Sequence, residues 1–109
     1  MSWFSFHKGG EAGSASHMSI ELPVAFIEED DAVVAYTPAL DLSTCGKDHE
    51  DAKRMFAEAV QIFFKDLADN DTLEEVLGGL GWKRSAQHAA WYPPKISHES
   101  LGIRVPVAA

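Results

Sequence analysis

From position 19 the chain alternates. Ile20, Leu22, Val24 and Phe26 stand between Ser19, Glu21, Pro23 and Ala25, a period of two that predicts a half-buried strand over 20–27. Pro23 lacks an amide donor, which assigns that strand to an edge or a bulge. Glu28, Glu29, Asp30 and Asp31 follow as a charged turn whose side chains favour water. Residues 32–36 predict a second strand, joined to the first as a hairpin. Thr37-Pro38 interrupts it, and 40–44 predict a third strand that ends at Gly46. Short turns between successive strands make an antiparallel meander the simplest arrangement.

The spacing then changes to three and four. Ala52, Met55, Phe56, Ala59, Val60, Phe63 and Leu67 form one broad apolar stripe, while Glu50, Lys53, Arg54, Glu58, Lys65 and Asp66 fall elsewhere. Asp48 is the expected N-cap, and Glu50 and Asp51 suit the positive end of the helix dipole. Such a stripe has to cover something, and the sheet is the only large partner. Asp71 with Glu74 resembles a capping box for a second helix carrying Leu73, Val76, Leu77 and Leu80, which Gly78, Gly79 and Gly81 end. Beyond Trp82 the reading is a turn over 83–88, a short extended piece over 89–92 and a rigid break at Pro93-Pro94. Ile103 and Val105 alternate with Arg104, predicting a terminal strand over 102–107.

The predicted fold is α+β: an antiparallel sheet of three to four strands, the meander plus the C-terminal strand, covered by one long helix and a short second helix. Residues 18–109 are expected to form one domain. Residues 1–17 differ in character, with Trp3, Phe4 and Phe6 crowded together ahead of a small, polar run over 9–16. They lack the basic start and apolar stretch of a signal peptide. Ser16-His17-Met18 reads as the scar of a fused tag, the other reading being a flexible arm.

Composition narrows the function. The 109 residues hold 9 Lys plus Arg against 17 Asp plus Glu, a formal net charge of −8. That is a poor surface for phosphate backbones, so direct DNA binding is not expected. The single cysteine, Cys45, excludes an internal disulfide, and no run approaches the roughly 20 apolar residues that span a bilayer.

Candidate chemistry is sparse. His7, His17, His49, His88 and His98 show no metal-ligand spacing. Cys45 and His49 are the one close thiol–imidazole pair, readable as a zinc or thiolate corner or as ordinary residues at a strand end and a helix start. The glycines over 78–81 follow a helix instead of preceding one, so they are no phosphate loop. Trp82, Trp91 and Tyr92 read as a packed mini-core, with Trp82 anchoring the second helix to the sheet. No metal, cofactor or catalytic constellation is predicted.

The segment VAYTPALDLSTCG followed by DHEDAKRMFAEAVQIFFKDL resembles the HicB-like antitoxins and their orphan relatives. Gly46-Lys47-Asp48-His49-Glu50-Asp51-Ala52 matches the family's Gly-x-x-x-Glu-x-Ala helix start. LGGLGW over 77–82, Trp91 with Pro93-Pro94, and a final 103–107 strand look like one of its subgroups, so the likeness covers about 20–107. The resemblance implies a cytoplasmic protein of a toxin–antitoxin system, neutralising a small basic RNA-cleaving HicA-like toxin by occlusion. Many members add a C-terminal DNA-binding segment; with two residues after Val107, none is expected here, which puts DNA binding and autoregulation in doubt.

Contact residues are expected at Glu28, Glu29, Asp30 and Asp31, and at Glu21 on the edge of the first strand, because open edges are pairing surfaces. A homodimer or higher homo-oligomer is expected, through that edge or through apolar remainders of the long helix such as Ile62 and Phe64. The competing readings are a structural homo-oligomer or small-ligand sensor and, behind it, a Cys45-dependent enzyme.

Overall fold

The computed structural model describes residues 19–85 and 90–108; the expected tag or arm over 1–17 lies outside them. Strands β1 (Ala25–Glu28), β2 (Val33–Thr37) and β3 (Leu42–Gly46) form an antiparallel sheet in that order. Helix α1 (His49–Asp69) and helix α2 (Leu73–Gly79) follow. β4 (Lys83–Arg84) then pairs antiparallel with β5 (Trp91–Tyr92) in a separate two-stranded sheet. The fold is α+β, as the hydrophobic pattern predicts.

Register decides which face of the sheet is covered. Phe26, Ala35 and Thr44 stand opposite one another, as do Glu28, Val33 and Gly46. Val33 and Ala35 of this face are buried with Ala52 and Phe56 of α1. Side chains alternate along a strand, so Ala25, Ile27, Val34, Tyr36, Ser43 and Cys45 lie on the opposite face. A second cluster joins Ala39, Leu40, Phe64, Leu67, Leu77, Trp82 and Trp91. Leu22, Leu42 and Val60 touch both clusters and make the core continuous. Burying each large side chain stabilises by roughly 1.5–3 kcal/mol.

α1 starts where β3 stops, without slack. A Cβ on Gly46 would lie 2.4 Å from the Ala52 nitrogen, so only glycine lets the helix's first turn approach this closely. Asp48 Oδ1 accepts the Asp51 N–H at 2.8 Å, and Asp51 Oδ2 accepts the Lys47 N–H at 2.9 Å. That reciprocal pair is a capping box displaced by one residue on its return arm.

Both helices end in the same device. At α1 the Thr72 N–H donates to Leu67 O at 2.9 Å and the Asp71 N–H to Ala68 O at 3.2 Å, with Asp71 at φ 57°. At α2 the Trp82 N–H donates to Leu77 O at 3.0 Å and the Gly81 N–H to Gly78 O at 3.1 Å, with Gly81 at φ 92°. These are Schellman motifs, which satisfy terminal carbonyls through one left-handed residue.

Several expectations are corrected. β1 is shorter than 20–27, because Ile20 and Leu22 turn into the core ahead of it. β3 starts two residues late: Ala39 and Leu40 are buried within a turn held by the Ala39 N–H on Thr37 Oγ1 at 3.2 Å. Phe64 is core and not a surface remainder, whereas Ile62 is 67% exposed. Asp71 does not cap α2, since it serves as the left-handed terminus of α1; the N-cap is Thr72, without a side-chain bond. Lys83 and Arg84 are a strand instead of a turn, and Arg84 pairs with Glu74 and lies over the Trp91 ring at 5.8 Å. Tyr92 is exposed and stays out of the mini-core. Residues 102–107 join no strand, because no described strand lies beside them to take their backbone bonds.

The Trp82 expectation holds: its indole N–H donates to Ala39 O at 2.9 Å, tying the end of α2 to the β2–β3 turn. Phe64 meets the Trp82 ring edge-on at 6.0 Å.

Two outcomes follow for urea denaturation. Gly46→Ala should destabilise by at least about 1–3 kcal/mol, as overpacking against backbone does. Asp71→Gly and Gly81→Ala should move stability by about 1 kcal/mol in opposite directions, the first upward and the second downward.

Candidate partner-binding site at the acidic hairpin

The β1–β2 connection is tight. Glu28 closes β1 opposite Val33, and the Glu29 N–H donates to Ala32 O at 2.8 Å, leaving Asp30 and Asp31 at the tip. All four acids are exposed, as charged side chains at a turn should be. Because Gly46 stands opposite Val33, the start of α1 must lie beside this tip. Glu28, Glu29, Asp30 and Asp31 therefore share an open cleft of about 480 Å³ with Lys47, Asp48 and His49. The His49 ring packs on Phe26 at 4.2 Å between centroids, fastening β1 to the helix start.

The charges of the cleft are poorly balanced. Along α1 the cations are engaged locally: Lys53 with Glu50 at 3.5 Å, Arg54 with Asp51 and Glu58, and Lys65 with Asp69 at 2.8 Å. Among the described residues, the four hairpin carboxylates have no ion pair, and Lys47 is the one lysine or arginine lining the cleft. Five carboxylates crowded around a shallow concavity, counting Asp48, present acceptors that fit guanidinium or ammonium groups. Such a field also speeds encounter with a basic partner and weakens with salt.

Glu21 is exposed but does not line this cleft. Cys45 is exposed on the sheet face opposite α1, and the packing partner of His49 is Phe26. Among the described residues, no group of three or more His, Cys, Asp and Glu could hold a metal ion. The participation of Lys47, Asp48 and His49 was not anticipated; the register between β2 and β3 is the signal that places them.

A second, apolar groove of about 580 Å³ opens between the β2–β3 turn, α1 and α2, lined by Leu40, Phe63, Val76 and Leu80 with Asp41 and Glu75. Beside it the Tyr36 hydroxyl donates to Asp41 Oδ1 at 3.3 Å. Partial burial, then the charge of Asp41 and the bond to it, push the Tyr36 phenol above its ordinary range. Asp51, at the helix start, goes the other way: the Lys47 backbone N–H, then Arg54, hold its carboxyl below the usual range.

The depressed Asp51 pKa fixes a sign. Its contribution to stability is present above the unfolded carboxylate value of about 3.9 and is lost as pH falls through the lower folded value. Thermal melts of the wild type should show this loss below about pH 4, and Asp51→Asn should flatten that limb of the profile.

The chain matches no protein-family model, no curated protein and no solved structure.

Proposed function

We propose that this chain is a HicB-like antitoxin or an orphan relative of one: a cytoplasmic binding protein that works by contact, without turnover or cofactor. Its partner would be a small basic RNA-cleaving protein of HicA type, covered at its active surface by the acidic hairpin. The observation that carries this reading is the set of four exposed hairpin carboxylates without ion pairs among the described residues, held against the start of α1. The order of motifs from Val34 to Val107 and the net charge of −8 support it. Self-association as a homodimer belongs to the same reading, and direct DNA binding does not.

The apolar groove lined by Leu40, Phe63, Val76 and Leu80 favours a second reading, a small-ligand sensor. Fluorescence of an apolar dye displaced by small apolar amines, which suit a groove carrying Asp41 and Glu75, would support it, and no dye binding would remove it.

Titration calorimetry against the basic product of a neighbouring gene tests the first reading. Micromolar or tighter binding is expected at low salt, with Glu28→Gln, Glu29→Gln, Asp30→Asn and Asp31→Asn together weakening it at least about tenfold. Binding indifferent to both salt and these four changes would reject the hairpin as the contact surface.

A further inference from the structure

The outer edge of β1 is unpaired among the described residues. Antiparallel partners alternate between hydrogen-bonded and non-bonded pairs. The Glu29 N–H on Ala32 O makes that pair a bonded one, so Ile27–Val34 and Ala25–Tyr36 are bonded too. The main-chain groups of Phe26 and Glu28 therefore point outward, at the free edge. An open edge of this kind is a template for another strand.

The C-terminal segment has the complementary defect. Every residue from Ser97 to Ala108 is exposed, and the apolar ones alternate: Leu101 is 71% exposed, Ile103 71%, Val105 67% and Val107 83%. Four large apolar side chains in water at a period of two describe one face of a strand without its sheet.

We propose that residues 101–107 are donated to a second copy of this chain and add antiparallel to its β1 edge. It deepens the self-association in the reading above and rests on that part of it. Pro106 lacks an N–H, so Gly102, Arg104 and Pro106 must turn their main-chain groups away from β1. That leaves Leu101, Ile103, Val105 and Val107 to bond it. In an antiparallel ladder bonded partners share a face, so these four side chains fall beside Phe26, on the face that α1 covers. The same parity sends the missing donor of Pro23 toward β2 and not toward the incoming strand. Arg104, the one lysine or arginine after Lys95, falls by the same alternation on the opposite face of that edge, in a chain whose formal net charge is −8. A second copy carries both halves, the edge and the tail, so the exchange closes as a two-fold dimer.

Sedimentation equilibrium of the full chain, with backbone hydrogen exchange, tests the proposal against the double variant Ile103→Asp, Val105→Asp. The full chain should show twice the 11.9 kDa mass and slow exchange at Ile103, Val105 and Val107 but fast exchange at Arg104. The variant changes only exposed side chains, so it should keep the same far-ultraviolet spectrum while its dimer weakens at least about tenfold. A dimer untouched by the variant would overturn the tail exchange and leave self-association standing. A monomer, whether its tail amides are protected or not, would overturn both.

Discussion

The close approach of α1 to the end of β3 is the constraint on which the rest of the structure depends. Gly46 has no side chain to hold the helix off, and the Asp48–Asp51 bonds fix the direction in which it leaves the sheet. Ala52 and Phe56 thereby land on Val33 and Ala35, and the later turns carry Phe64 and Leu67 toward α2. The same junction lays the helix start beside the β1–β2 turn. Core packing and the acidic cleft are two results of one backbone contact.

The two halves of the core differ in how they close. Near the hairpin, sheet and helix meet through small residues, Ala35 and Ala52, so that backbones come near each other. At the other end the space is filled by aromatic side chains, with Trp82 also capping an otherwise buried carbonyl at Ala39. Buried carbonyls without a partner are costly, so this indole has a polar task as well as a packing one. Thr44 Oγ1 is the exception, buried without a partner among the described residues.

Much of the fold was legible in the chain. Period-two runs bounded by acids and proline marked the meander, and a stripe at three and four with Asp48 before it marked α1. The errors have local causes. Apolar Ala39 and Leu40 looked like strand but are buried in a turn, where side-chain and indole bonds satisfy the backbone. Ile62, Phe63 and Phe64 are apolar in succession, so spacing alone could not say which one faces inward. Asp71 carries the signature of a cap, and nothing in its neighbours reveals that it adopts the left-handed conformation usually given to glycine. Of the site, the exposure of the four acids was readable from their charge. Their neighbours Lys47 and His49 depend on pairing register, which the hydrophobic pattern leaves open.

The Trp82–Ala39 bond joins positions 43 residues apart, whereas the meander and α1 assemble from segments adjacent in sequence. Local pairings form quickly because little loop entropy is lost, and distant ones come late. On sequence separation alone, nucleation is expected in the stretch from β1 through α1, with docking of the indole as the later event. The unfolding barrier should accordingly feel the tryptophan first: loss of that bond accelerates opening of the native state far more than it delays collapse.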